Sequence, residues 1–460
     1  MISTIINKIV KSKILLPLIF VIYAMVLCAI VAKGTNYNSA PDEFMRYDVT
    51  EYVYEKMSLP HGCEESLRDQ IWGFSYAFYP ITSYSLSGLV MKVASNFTSN
   101  PNDLLFAARM VDVVFIGLYA FICTKISKEL FKELKYKALF CTLSVLLPGL
   151  LYLGGFINND SISLFATSFI LYSWLIGIKT KWSYKSIIML GISIGICFLS
   201  YFNAYGFILS SVVLYIGSSI IEKKKIKELL TKGIIVALIA FLISGWWFIR
   251  NATIYKGDFL GLSASRECGE KYAMEEYKPS NRTTPFKENK SIFEMLIVDK
   301  WIIINCRSFA GIFGYMNTYM DDSTYRFYKV LIDIGLFGLV LKCIDYVNKK
   351  YILLEKKKEK FKTKSIEEKE KLFLNIVFIF TMIITIGISI YYSYFNDFQP
   401  QGRYIITIAP IFMYFVTIGI KNLLKEFLNE RQINIVILLL ISVLTYLPLK
   451  VILGIIVPLL

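Results

Sequence analysis

Long apolar runs alternate along the chain with short connectors rich in lysine. The runs lie near residues 14–32, 104–124, 138–155, 161–178, 186–202, 204–221, 233–249, 325–344, 372–393, 402–420 and 433–450. Each approaches or reaches the ~17–25 residues that a helix needs to cross a hydrocarbon layer of ~30 Å. They are continuous rather than alternating, which excludes a membrane barrel. The pattern predicts an all-α polytopic membrane protein with about eleven transmembrane helices. The C-terminal stretch 433–460 reads either as one span and a tail or as a tight hairpin.

The connectors set the orientation. Lys8, Lys11 and Lys13 precede the first run, which reads as an uncleaved span because its apolar core is long and no clear small-residue cleavage site follows. Lys125, Lys128, Lys132, Lys135 and Lys137 follow the second span, and Lys179, Lys181 and Lys185 follow the fourth. Lys223, Lys224, Lys225, Lys227 and Lys232 follow the sixth, and a further lysine-rich segment covers 342–371. All fall on one side if the chain alternates, and positive charge marks that side as the cytoplasm. Segments 74–94 and 292–316 are apolar enough to tempt a span assignment, but either alone would turn the later lysine loops outward. Both therefore read as interfacial or re-entrant helices. Their Tyr and Trp suit the headgroup level, and Asp299, Lys300 and Arg307 oppose lipid exposure. Within one integral membrane domain, 1–460, this leaves large outer loops at 33–103 and 250–324, a short one near 394–401, and a basic cytoplasmic loop at 345–371.

Composition supports the same picture. Hydrophobic residues make up 55% of the chain and mean hydropathy is +0.54. The net charge of +15 comes from the connector lysines, so nucleic acid is not an expected partner. The abundance of Lys, Ile and Asn suggests a bacterial source and hence the plasma membrane. Of eight cysteines, Cys28, Cys123, Cys141, Cys197 and Cys343 fall in or beside spans as apolar filler. Cys63, Cys268 and Cys306 fall in outer segments and leave room for one disulfide. No CxxC, Walker A, GxGxxG or HExxH occurs, so no nucleotide or zinc site is expected.

Polar residues gather at the outer ends of the helices. The stretch 40-APDEFMRYD-48 places Asp42, Glu43 and Asp48 just after the first span. Asn158, Asn159 and Asp160 form a tight outer loop, a composition that any short turn also uses. Arg250 and Asn251 end one span, and Gln399, Gln401 and Arg403 open another. Arginine is scarce beside lysine, yet Arg46, Arg68, Arg109, Arg250, Arg266, Arg282, Arg307, Arg326 and Arg403 all fall on or near the outer face, against the positive-inside trend. Guanidinium binds phosphate bidentately and keeps its charge when partly buried. A cage for a lipid phosphate is one reading, and pairing with the acids or helix capping is the other. A site facing away from the cytoplasm disfavours ATP and nucleotide sugars and favours a lipid-borne substrate.

The ordered set PDE at 41–43, NND at 158–160, 246-WWFIRN-251 with 255-YKGD-258, 308-SFAGIFGYM-316 and 401-QGRYIITIAP-410 resembles the GT-C superfamily of polytopic glycosyltransferases. It is most similar to bacterial predicted membrane proteins with PPDE…HY near the N-terminus and a late GRY, distant relatives of aminoarabinose transferases and protein O-mannosyltransferases. The resemblance covers roughly 14–420. It implies transfer of a sugar from a polyprenyl-phosphate donor, with inversion, to an envelope polysaccharide, glycolipid or protein acceptor at the outer face. It maps the catalytic acid onto Asp42 with Glu43 beside it, the second-loop acid onto Asp160, and the late arginine onto Arg403. The family histidine after PDE is Arg46 here, the PPLYY-like stretch reads 79-YPITSY-84, and the single histidine, His61, lies in PHGC.

The chemistry requires a carboxylate to take the acceptor proton, cations for the departing phosphate, and walls against water. The expected catalytic set is Asp42, Glu43 and Asp160, with Arg250, Arg403, Arg307 and Arg109 on the phosphate and Arg46, Tyr47, Asn159 and Gln401 on sugar or acceptor. Asp42, Glu43 and Asp160 are also candidate ligands for a divalent cation. A transporter or flippase of lipid-linked glycans is the rival class, and it should place ionisable groups at the midplane of several spans. Only Asp112 and Asp333 stand out there. A polymerase or ligase of lipid-linked glycans is the other alternative.

Overall fold

The computed structural model describes residues 15–355 and 365–459. Lys8, Lys11, Lys13 and part of the lysine-rich loop 345–371 lie outside the described residues. Along the chain come α1 (Leu15–Gly34), α2 (Glu43–Lys56), α3 (Thr82–Ala94), α4 (Pro101–Leu130), α5 (Leu134–Val145), α6 (Pro148–Leu153), α7 (Asp160–Lys179), α8 (Tyr184–Phe198), α9 (Gly206–Ile221) and α10 (Ile226–Ile254). Then follow α11 (Leu262–Tyr272), α12 (Trp301–Gly311), a hairpin of β1 (Ile312–Phe313) and β2 (Thr318–Tyr319), α13 (Asp322–Glu355), α14 (Ile366–Phe395), a 3₁₀ segment Gly402–Ile408, α15 (Ala409–Phe427) and α16 (Glu430–Val451).

Eight helices among the described residues are long and apolar enough to cross a membrane, against the eleven spans expected. The other three expected spans each differ for a local reason. The run 138–155 is broken into α5 and α6, because Pro148 cannot continue the ladder and instead starts a new helix. The run 186–202 gives α8, only 15 residues long. Helix α13 has length to spare, but Asp333, Lys342 and Asp345 interrupt its apolar stretch. The C-terminal stretch is a single helical rod, α16 continuing through a π turn at Ile452–Ile456, and not a hairpin. The tempting segments stay short. Helix α3 has 13 residues, about 20 Å at 1.5 Å per residue, and 292–316 holds a π turn at Glu294–Val298, the 11-residue α12 and β1.

Helix α4 lies at the centre, packed on α1 and α7, while α8 packs on α10 and α9 on α14. Helices α13 and α15 cross at glycines. A Cβ on Gly419 would sit 1.6 Å from the Gly335 carbonyl oxygen, so the two backbones touch. The two large loops 33–103 and 250–324 are joined to each other. Cys63 and Cys268 form a disulfide, and the Met274 N–H donates to the Ile71 carbonyl at 3.1 Å. Cys306 is free and exposed.

Candidate functional site

The two neighbouring acids of the PDE motif have different surroundings. Asp42 adopts left-handed backbone angles (φ 61°) at the start of α2, a conformation uncommon outside glycine. Glu43 is fully buried and takes a bidentate contact from Arg109, Nε at 2.8 Å and Nη2 at 2.7 Å, plus the Ile157 N–H at 3.2 Å. The remaining Arg109 donors go to the carbonyls of Ala32 at 2.9 Å, Thr35 at 2.7 Å and Asn36 at 3.1 Å. All five guanidinium donors are thus taken. The pair ties the end of α1, the start of α2, the N-terminal third of α4 and the loop before α7 together. In this arrangement Glu43 accepts from Arg109 and from the Ile157 N–H, and every Arg109 donor is engaged within the protein.

Asp42 instead faces Arg403. Its Oδ2 accepts from Arg403 Nη2 at 2.9 Å and from Arg46 Nη2 at 3.3 Å. Arg403 also donates from Nε to Gln401 Oε1 at 2.6 Å and from Nη2 to Tyr404 Oη at 3.1 Å. Its Nη1 is buried with no hydrogen-bond partner and stands 4.0 Å from Asp160 Oδ2. Arg46 gives Nη1 to the Pro41 carbonyl at 3.0 Å and lies 5.0 Å over the Tyr76 ring, with Nε buried and unpartnered. Asn159 donates to the Pro80 carbonyl at 3.2 Å and leaves Oδ1 buried without a partner. Burial alone would push the Asp42 carboxyl up. The charges of Arg403 and Arg46, with hydrogen bonds from Arg403 and Tyr76, hold it below the usual carboxylate range.

Local sequence explains how these groups meet. Asn158 folds its side chain back, accepting from the Asp160 N–H at 2.7 Å and the Ser161 N–H at 2.9 Å, and so caps α7 and fixes Asp160. The GRY segment winds as seven residues of 3₁₀ helix, longer than such runs usually are. It is pressed onto α12, since a Cβ on Gly402 would come 2.1 Å from the Phe309 backbone nitrogen. Two of the motifs legible in the sequence, SFAG and QGRY, are therefore in direct backbone contact. A cleft opens beside Arg403 between Pro41, Tyr152, Ser308, Ile312 and Ile406.

Asp42, Asp160, Arg403, Arg46, Asn159 and Gln401 thus come together. Other expected residues are engaged elsewhere. Arg250 donates to the Pro60 carbonyl at 2.7 Å and stacks 5.3 Å from Trp247. Arg307 lies 5.4 Å from the Tyr325 ring, and Tyr47 packs edge-on against Tyr37 at 5.2 Å. The expected metal ligands do not fit a cation. Among the described residues no three His, Cys, Asp or Glu side chains converge. Glu43 is held by Arg109, and the Arg403 guanidinium occupies the space between Asp42 and Asp160. Sequence reasoning missed Tyr76 and gave no role to Tyr404 or to Gln399, named only at the head of a span, whose side chain accepts from the Tyr404 hydroxyl. The aromatic density of 74-FSYAFYP-80 was the available signal. Asp112 is buried under the NND loop, accepting from the Asn158 N–H at 3.4 Å. It supports that loop through one carboxylate oxygen, while its Oδ1 is buried without a hydrogen-bond partner.

Comparison with solved structures gives the fold. The apo oligosaccharyltransferase of Archaeoglobus fulgidus superposes with a TM-score of 0.55 at 13% identity, covering 96% of this chain and 56% of that one. The same organism's oligosaccharyltransferase AglB, in complex with an inhibitory peptide and a dolichol-phosphate, gives 0.50 at 12% identity, covering 94% and 55%. ArnT from Cupriavidus metallidurans bound to undecaprenyl phosphate gives 0.49 at 12%, covering 89% and 60%. The chain spans little more than half the length of these enzymes. No curated protein matches the sequence. The fold is similar to that of the archaeal oligosaccharyltransferase. Residues 31–412 match the family described as "Predicted membrane protein (DUF2142)", and the chain belongs to that family.

Proposed function

We propose that the protein is a membrane glycosyltransferase that moves a sugar from a polyprenyl-phosphate donor to an envelope acceptor on the outer face. One observation carries the reading: the buried Arg403 guanidinium with an unpartnered Nη1, set between Asp42 and Asp160 at the wall of a cleft. A buried cation with a free donor suits an anionic ligand. The likeness to lipid-linked glycan transferases supports the same class, and the Cys63–Cys268 disulfide suits an oxidising outer compartment.

In this reading the donor phosphate enters beside Arg403 and takes its Nη1 and part of its Nη2. Asp42 loses a share of its counter-ion and becomes a better base. The acceptor hydroxyl attacks the anomeric carbon, the carbon–oxygen bond to phosphate breaks, the proton passes to Asp42, and prenyl phosphate leaves neutralised by Arg403. Arg46 keeps Asp42 oriented throughout. No step runs through a metal.

The test is binding of undecaprenyl phosphate to the purified chain in nanodiscs. Arg403→Ala should weaken it about 30-fold or more, roughly 2 kcal/mol. Arg250→Ala, outside the cluster, should leave it near wild type. Equal losses in both variants, or none in Arg403→Ala, would rule out the assigned phosphate position.

A further inference from the structure

The Arg403 cleft has a neighbour. Tyr152 and Gly314 line it and also line a second cleft beside it, of about 310 Å³. That size suits a small organic group. Its walls come from the loop after α1, the turn of the β1–β2 hairpin and the last turns of the C-terminal helical rod. Its chemistry differs from that of the first. Asn38, Asn317, Thr318 and Tyr315 bring amides and hydroxyls, Tyr152 and Phe313 bring aromatic rings, and no lining side chain carries a charge.

The hairpin that builds this wall is held in an uncommon shape. Met316 has φ 64° and Gly314 φ 57°, and Asn38 on the facing loop has φ 60°. Left-handed methionine is unusual, and conformations of this kind cluster where a ligand is clamped. The shape is pinned from several sides. The Gly314 N–H donates to Tyr152 Oη at 3.2 Å, the Met320 N–H to Tyr325 Oη at 3.3 Å, and the Tyr315 hydroxyl bridges the mouth to Asn38 Oδ1. Tyr152 and Phe313 meet at 5.2 Å and 65°, so the two rings form a corner.

We propose that this second cleft receives an uncharged, hydroxyl-rich ring, a sugar unit, of the ligand that reacts at Arg403. Amide groups supply both donors and acceptors, as ring hydroxyls require, and aromatic faces take the C–H side of a pyranose. A neutral pocket directly beside a cationic one fits a ligand made of a neutral ring next to a phosphate. The inference rests on the donor reading above and adds where, and by which side chains, the ring is recognised.

The test uses the full chain in nanodiscs with three probes: undecaprenyl phosphate, undecaprenyl phosphate carrying glucose, galactose or mannose, and the matching methyl hexosides. The variants are Asn317→Leu with Thr318→Val, both at the hairpin, and Asn38→Leu on the opposite wall. Wild type should prefer at least one sugar-bearing lipid over the bare lipid by about tenfold, and both variants should erase that preference while bare-lipid affinity stays within about twofold. That result assigns the cleft to the donor sugar. If the preference survives but binding of a methyl hexoside is lost, the ring belongs to the acceptor and the cleft is still a sugar subsite. Absence of any sugar preference in wild type, unchanged binding of every probe in the variants, or equal losses for bare and sugar-bearing lipid overturns the inference while leaving the phosphate site intact. Failure of wild type to bind undecaprenyl phosphate at all removes the donor reading, and this one with it.

Discussion

Asp42 and Glu43 are adjacent in sequence and opposite in circumstance. Glu43 and Arg109 form a buried pair in which each satisfies the other, so removing one strands a charge. Glu43→Gln or Arg109→Ala should cost about 3–5 kcal/mol, read as a lowered melting temperature in detergent. Asp42→Asn should melt near wild type and lose about 10²–10⁴-fold in kcat. The Asp42 carboxyl lies below its ordinary range, so its ionised form adds stability above the unfolded value of ~3.9 that is lost as pH falls through the lower folded value. If donor phosphate draws Arg403 away, the acid limb of kcat should lie at higher pH than that of kcat/KM. Asp48 behaves in the other sense. Burial, then Glu51 and Asp69, push its carboxyl up to about 6. Its ionisation works against the fold as pH rises through that range, so Asp48→Asn should raise the melting temperature at pH 7–8 and leave it unchanged near pH 4. The sequence marked all three acids, but no spacing rule separates Asp42 from Glu43. The left-handed turn at Asp42 and an arginine 66 residues away decide it.

At the scale of elements, the long apolar runs were legible because periodicity and length suffice for a spanning helix. The misses have local causes. Pro148 splits one run, and charges interrupt another at Asp333, Lys342 and Asp345. The 3₁₀ winding of GRYIITI was not legible, since its cause is tertiary: Gly402 lies against the Phe309 backbone. Gly402→Ala should displace the 3₁₀ segment and with it Arg403. The expected outcome is loss of undecaprenyl phosphate binding together with a stability cost of about 1–3 kcal/mol, compared by ligand binding and thermal unfolding.

For the whole molecule, the two large loops 33–103 and 250–324 are joined as one unit, because the disulfide, the Met274–Ile71 hydrogen bond and the Gly62 N–H donated to Tyr255 Oη at 2.9 Å all cross between them. The sequence offered three outer cysteines and no rule for pairing them. The pairing follows from loops that meet only in the fold. In intact cells Cys63 and Cys268 should resist maleimide until reduced, while Cys306 reacts directly.

The central claim is sugar transfer centred on Asp42 and Arg403. Its most direct test is mass spectrometry of prenyl-phosphate sugars and surface glycans in host cells carrying wild type, a deletion, or the deletion complemented with Asp42→Asn at equal protein level. The predicted result is a sugar missing from the surface and its prenyl-phosphate form accumulating in both the deletion and the Asp42→Asn strain. Full restoration by Asp42→Asn would contradict the role given to Asp42, and an unchanged lipid and glycan profile in the deletion would contradict transfer itself.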